Sequence, residues 1–327
     1  MTHPLIPDAS AAGDAASDDG SLALQLGFTA EPIVDIGGSS ETPLYSECLA
    51  RMMVGNGALL KSGDFVDDLE SCGGIDLLDA AVVDLVLDAL IDAPNVALGC
   101  NISPLTLSDP VAWKRVVSSI DERQWLAKRL TLEITETCPL NEIPDVAVRL
   151  AEVQRLGCRI AIDDFGAGYA SANHLQGVDI KWDIVKIDRS CFAGLQEGPS
   201  SRTRLHSLVS QASRFAPIVV VEGIETYDRL SIAQEAGARF GQGWLFDGPV
   251  RDRWMMPGEA SQLTAAMKKY RVMVQQLMRP AAPSGQATCT PYKRPFSANP
   301  GFSQALTQDV ADLVWALVAH RRIGEAP

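Results

Sequence analysis

Seven apolar runs in this chain each end in a side chain that could bind a metal or move a proton. Glu47 lies in LYSECLAR, Asn101 in ALGCNISP, Glu133 in LTLEITE and the pair Asp163–Asp164 in IAIDDFGAG. Lys186 follows in IVKID, Glu222 in IVVVEGIE and Gln242 in GQGW. One such residue would mean little, because an acidic residue after a strand is commonly only a helix cap. Seven on successive runs are much harder to explain that way. Five carboxylates with an amide oxygen suit a hard cation, Mg2+, Mn2+ or Ca2+. Adjacent Asp163 and Asp164 could not both stay ionised in a converging acidic mouth without a counter-charge. Bound metal supplies that charge, and one carboxylate can bridge two ions. Two ions about 3.5–4 Å apart are a recurrent solution to phosphodiester hydrolysis, because together they hold the phosphate, activate a water and stabilise developing charge. Lys186 would add positive charge beside the water or the phosphate; its plainer reading is a salt bridge with Asp188.

These residues meet only if the elements bring them to one place. Strand-like runs lie at roughly 28–36, 43–52, 96–102, 130–135, 158–163, 183–188, 217–222 and 238–243. Helix-like stretches lie between them, near 76–93, 111–125, 142–156, 201–214 and 227–236. In 76–93, Leu77, Leu78, Ala81, Val82, Leu85 and Leu90 recur at helical spacing, with Asp76, Asp79, Asp84 and Asp88 between them. Strand–helix alternation predicts parallel strands with helical crossovers. Eight strands close into a barrel whose carboxyl-end face carries the chemistry. The short Gly-Gly-Ser-Ser segment at 37–40 reads as a hairpin, so the first strand is expected to run antiparallel to the rest. The fold class is therefore α/β, a modified TIM-type (β/α)8 barrel with an antiparallel first strand.

The predicted organisation is a disordered segment over 1–21, a barrel domain over 22–250 and a C-terminal helical extension over 251–327. The extension divides into a helix near 259–279, a Pro/Gly/Ser-containing linker over 280–303 and a final helix near 303–321, which packs on the barrel or meets a protein partner. A net charge of −13 argues against a nucleic-acid polymer as partner. A small anionic substrate stays open, because bound metal reverses the local sign. Seven cysteines without CxxC pairs suggest reduced thiols, and no signal peptide or membrane-length apolar run is read, so a cytoplasmic location is expected. The four histidines stand apart from the motifs and carry no expected role.

The motifs ECLAR (47–51), NISP (101–104), EITE (133–136), DDFGAGY (163–169), VKIDRS (185–190), EGIET (222–226) and QGWLF (242–246) are specific in order and spacing. Over about residues 28 to 250 they resemble the EAL-domain family, known for cyclic-di-GMP-specific phosphodiesterases. The resemblance implies that Glu47, Asn101, Glu133 and Asp163 bind one Mg2+ or Mn2+ ion, and Asp163, Asp164 and Glu222 a second. It gives Lys186 the orienting of water, places Gln242 close to the metal and water cluster, and makes Leu49 and Arg51 substrate contacts. Arg51 would suit a phosphate oxygen. Glu136 and Asp188 would support the loop after DDFG, and Glu225 would be mainly structural. The chain departs from the family pattern at Cys48, Ala167, Glu31 and Trp244, none of them a ligand position. The GGDEF synthesis signature is absent, and no sensory module is read, which points to control by expression, partners or dimerisation. The implied activity is hydrolysis of cyclic-di-GMP to linear pGpG by a homodimer. The alternatives are a catalytically weak cyclic-di-GMP receptor acting through protein contacts, and a hydrolase for another cyclic dinucleotide or phosphodiester.

Overall fold

The computed structural model describes residues 25–38, 40–53, 59–135, 138–167, 177–193, 199–246 and 251–255. Strand β1 (Gln25–Asp35) turns back into β2 (Tyr45–Met53), and the two run antiparallel from the pair Ile33–Tyr45 to the pair Gln25–Met53. A short β3 (Leu59–Lys61) adds antiparallel to the far end of β2. After α1 (Val66–Cys72) and α2 (Ile75–Asp92) the chain forms β4 (Leu98–Ile102), which lies parallel to β2. Helices α3 (Pro104–Ser108) and α4 (Pro110–Asp121) lead to β5 (Leu130–Ile134). Helix α5 (Val146–Leu156) leads to β6 (Arg159–Phe165), and β7 (Ile184–Ile187) follows. Then come α6 (Pro199–Ala212), β8 (Ile218–Val221), α7 (Tyr227–Glu235) and β9 (Phe240–Gln242). Strands β4 to β9 pair in parallel, each with the next.

Strand β9 pairs antiparallel with β1, which closes eight strands into a barrel. The expected barrel and its antiparallel first strand are both present. The staves explain the unbroken apolar runs: β5 (LTLEI) and β7 (IVKI) are buried at every residue, with the lumen on one face and the helices on the other. The pleat then sorts side chains by parity. On β2, Cys48 and Met52 enter the core between staves and helices, while Tyr45 packs in the lumen with Ile33, Ala161, Ile184 and Val220. Each fully buried aliphatic side chain of this kind contributes about 1.5–3 kcal/mol.

Several elements differ from the sequence reading. The helix expected over 111–125 is α4, Pro110–Asp121, and ends there; Gln124–Arg129 forms a separate tight 3-10 turn. Pro110 cannot continue α3, and Asp109 caps α4 by accepting hydrogen bonds from the amides of Val111 and Ala112. The helix expected from 142 begins at Val146, because Leu140–Glu142 forms a 3-10 turn and Asp145 takes a left-handed φ of 58°. Strands β3 and β10 (Arg251–Trp254, antiparallel on β1) and helices α1 and α3 were not read from the sequence, being short and without a measurable period. The helices expected at 259–279 and 303–321, the linker between them and the segment 1–21 lie outside the described residues. Among the described residues, no helix is long and apolar enough to cross a membrane.

Candidate metal centre

At the carboxyl ends of the staves, Lys186 of β7 stands fully buried among four carboxylates. Its Nζ lies 2.6 Å from Glu133 and from Glu222, 2.9 Å from Glu47 and 3.1 Å from Asp163. An ammonium has three protons, so it cannot satisfy all four. Its plainer reading, a salt bridge with Asp188, is overturned, since the ammonium is enclosed by these four acids. Asp188 instead caps the turn Arg189–Phe192 by accepting from the Ser190 amide at 2.8 Å.

Amide side chains complete the ring. Asn101 at the end of β4 donates to Glu47 Oε1 at 2.7 Å, and Gln242 at the end of β9 donates to Glu47 Oε2 at 2.8 Å. Each amide thereby leaves its own carbonyl oxygen, Asn101 Oδ1 and Gln242 Oε1, buried without a partner. Glu133 Oε1 is also buried without a partner, while Glu133 Oε2 and Asp163 Oδ1 reach Nζ only out of hydrogen-bond alignment. Buried oxygens of this kind are costly unless a cation meets them. Carboxylate oxygens of Glu47, Glu133 and Asp163 all lie within 4.8 Å of one another, as do those of Asp163, Asp164 and Glu222. Asp163 belongs to both groups.

The backbone makes that sharing possible. In an unbroken strand, neighbouring residues point to opposite faces. Here the β6–β7 register shifts between Ile162 and Phe165, and Asp164 adopts a left-handed φ of 54°. Its carboxylate thereby joins Asp163 and Glu222, at a conformational cost of about 1–3 kcal/mol.

Electrostatics record the crowding. Burial pushes the carboxyls of Glu133, Asp163 and Glu222 up; the charge of Glu47 adds to this for Glu133, and that of Asp163 for Glu222. Asp164 is pushed up to about 7 by burial and by the charges of Asp163 and Asp188. Burial would also raise Glu47, but Lys186 and the hydrogen bonds from Gln242, Lys186 and Asn101 outweigh it and hold that carboxyl low. Burial alone would lower Lys186, yet Asp163, Glu133, Glu222 and Glu47 keep it protonated well above its usual range.

The other predicted residues divide. Leu49 lines a cavity of about 280 Å3 that opens onto Glu47, Asn101 and Asp163 between β2, α1 and α2. Arg51 is not gathered into the cluster: its Nη1 folds back onto the carbonyls of Leu49 and Ala50, at 3.3 and 3.0 Å. Glu225 pairs with Arg229 at 3.0 Å. Glu136 lies outside the described residues. Cys48 packs away from the site in the outer core, in register with Cys100, while Ala167 and Trp244 are exposed. Glu31 faces Glu47 across the β1–β2 ladder.

Three residues near the site were missed. Asp79, assigned to the polar face of α2, is buried; its Oδ2 accepts from the Ser103 amide at 2.9 Å, and Ser103 Oγ donates to Glu70 at 2.6 Å. These bonds pin the segment that carries Asn101. Burial pushes Asp79 up to about 7. Gly99 and Tyr45 form the floor: a Cβ on Gly99 would lie 2.6 Å from Glu133 Oε1 and 2.6 Å from the Tyr45 ring. Pleat parity could have found both, because Tyr45 is two residues before Glu47 and Gly99 two before Asn101.

Comparisons with known proteins place the barrel in a family. The EAL domain family model matches residues 19–249. The cyclic di-GMP phosphodiesterase PdeF of Escherichia coli K12 is 27% identical over 227 residues, 67% of this chain and 29% of that protein. The cyclic di-GMP phosphodiesterase PA2567 of Pseudomonas aeruginosa is 34% identical over 121 residues, 37% of this chain and 20% of that protein. The chain thus spans less than a third of the length of either relative. In fold, the PaMucR phosphodiesterase in its c-di-GMP complex superposes with a TM-score of 0.60 at 24% identity, over 73% of this chain and 94% of that one. With the motifs on successive staves and the family model spanning the barrel, the chain belongs to the EAL domain family.

Proposed function

We propose that this barrel hydrolyses cyclic-di-GMP to linear pGpG with two divalent ions, Mg2+ or Mn2+, at the mouth of its staves. The observation that carries the reading is the set of unsatisfied buried oxygens, from Glu133, Asp163, Asn101 and Gln242, around a single lysine. Glu47, Asn101, Glu133 and Asp163 would hold one ion, and Asp163, Asp164 and Glu222 the other, with Asp163 shared. Bound ions supply charge to the phosphate and acidify a water at neutral pH.

The chain's own residues do the rest. Lys186, kept protonated by its four neighbours, serves as a fixed donor rather than a base and orients the attacking water. Asn101 and Gln242 lock Glu47 in one rotamer, since both of its oxygens accept a hydrogen bond. The cavity beside Leu49 admits part of the ligand next to the cluster. Arg51 reaches a phosphate oxygen after releasing the carbonyls it now caps. The names of PdeF, PA2567 and the PaMucR complex support the choice of substrate. The reading extends to a homodimer in the cytoplasm.

Incubating the protein with cyclic-di-GMP and Mn2+ or Mg2+ tests this. Expected are pGpG as product, no product in EDTA, and a Glu47→Ala variant slowed by at least about 100-fold. Binding without turnover, or preference for another cyclic dinucleotide, would overturn the proposal. Undiminished hydrolysis by Glu47→Ala would overturn the ligand assignment.

A further inference from the structure

We propose that Arg229 of α7 is a positioning residue for Glu222, and through it for one of the two ions; this rests on the two-ion reading above. Glu222 is followed by Gly223, Ile224 and Glu225 before α7 begins. The Glu222 amide donates to the Ile187 carbonyl of β7, and the Ile224 amide to the Gln242 carbonyl of β9, both at 3.0 Å. Gly223 between them takes a left-handed φ of 73°, and a Cβ there would collide with Arg189. The two strand-bound amides on either side leave its carbonyl to be held by a side chain. Arg229 Nη1 donates to that carbonyl at 2.8 Å and also reaches Glu225 Oε2 at 3.0 Å.

The same guanidinium lies over the Phe192 ring, 5.2 Å from its centroid. Phe192 ends the turn that begins after Asp188, two residues beyond Lys186. One side chain therefore ties the segment leaving β8 to the segment leaving β7, and these strands deliver Glu222 and Lys186, 2.6 Å apart. The helix does not favour a cation here. Thr226 is the N-cap and accepts from the Arg229 amide at 3.2 Å, so Arg229 occupies the third helical position. At that position the helix dipole and the capping box both prefer an acid. The three contacts made by the guanidinium offset that preference.

A fork-shaped cation that caps a carbonyl, pairs with a carboxylate and stacks on a ring is only partly replaced by lysine. Without it the peptide after Glu222 is free to rotate, and the ion held by Asp163, Asp164 and Glu222 weakens. The ion on the Glu47 side, whose residues come from β2, β4, β5 and β6 and do not include Glu222, does not. Outer contacts of this type commonly change metal affinity by about 10–100-fold.

Mn2+ binding followed by the electron paramagnetic resonance of the free ion separates these roles in wild type, Arg229→Ala and Arg229→Lys. Thermal midpoints in EDTA check folding. We expect two ions on wild type. In Arg229→Ala one site is weakened about tenfold or more while the other is unchanged. Arg229→Lys falls between, and supplies the comparison if the alanine variant does not fold. Hydrolysis should show the same pattern, with a raised Mn2+ requirement and little loss at saturating Mn2+. Unchanged affinity at both sites, or equal weakening of both, would overturn the positioning role. Wild-type protein that bound no Mn2+ would overturn both readings, whereas two bound ions without hydrolysis would overturn the proposed function alone.

Discussion

Lys186 shows how far a residue can be read before its surroundings are known. Its position after an apolar run marks it as a mouth residue, but the nearest acid in sequence, Asp188, is the wrong partner. The four acids that surround it come from β2, β5 and the ends of β6 and β8. That arrangement is a property of barrel closure, and no local spacing reveals it. The ligand types were legible because a strand end is a short-range feature. The donors that fix them were not: Asn101 and Gln242 bond to a glutamate 54 and 195 residues away. The consequence is measurable. Replacing Lys186 by Met in metal-free protein leaves three buried acids and the half-buried Glu222 with no cation, which should cost about 3–5 kcal/mol. The thermal midpoint should fall by roughly 10 °C. Mn2+ should return most of that loss while hydrolysis stays at least about 100-fold down. A Lys186→Met protein with an unchanged midpoint in EDTA would show that the acids are already neutral.

At the level of elements, all eight staves are visible in sequence: β5 and β7, buried at every residue, read as short apolar runs with sharp ends, while β1 and β2 are partly exposed and are marked by the turn between them. The pieces that escaped are those without periodicity: β3 and α3 have three and five residues, too few for any pattern to repeat. Asp79 was misread for a related reason. Helix α2 packs against β4 and against α4, so an acid that interrupts its apolar spacing can still face the protein interior. The packing of β2 against β4 yields a prediction the pleat alone supports. Gly99 and Tyr45 are complementary, the ring and the Glu133 carboxylate occupying the space of a Cβ on β4. Ala is the better strand former, so Gly99→Ala on an exposed strand would be neutral or stabilising. In this barrel it should destabilise by about 1–3 kcal/mol through overpacking. It should also weaken Mn2+ by displacing Glu133. Pairing it with Tyr45→Ala removes the ring contact and should recover more metal affinity than Tyr45→Ala alone predicts by addition. Strict additivity of the two changes would refute the shared-space account.

For the whole molecule, the acids at the barrel mouth make stability depend on pH and metal together. Asp79 and Asp164 are raised to about 7, and Glu133, Asp163 and Glu222 are raised as well. A carboxyl raised in the folded state binds its proton there after the unfolded chain has lost it. For Asp79 and Asp164 that contribution is complete below about pH 4 and is lost as pH rises through about 7; for Glu133, Asp163 and Glu222 it is likewise lost as pH rises through their raised values. Glu47 is lowered and Lys186 raised, so both keep their charge from pH 5 to 8 and add no slope in that range. Metal-free protein should therefore melt at lower temperature at pH 8 than at pH 5. Metal reverses the sign, because each ion binds deprotonated ligands and displaces the protons that stabilised the empty fold. At 100 times the dissociation constant, one ion adds about 2.7 kcal/mol, and that constant itself tightens as pH rises. Calorimetry at pH 5 and pH 8, in EDTA and in Mn2+, should give a small metal-induced shift at the lower pH and a larger one at the higher. Asp79→Asn, which keeps an acceptor for the Ser103 amide but cannot ionise, should flatten part of the EDTA slope while leaving the Mn2+ shift in place. Equal Mn2+ shifts at the two pH values would mean that proton release is not coupled to metal binding, and the crowded carboxylates would then need another source of neutralising charge.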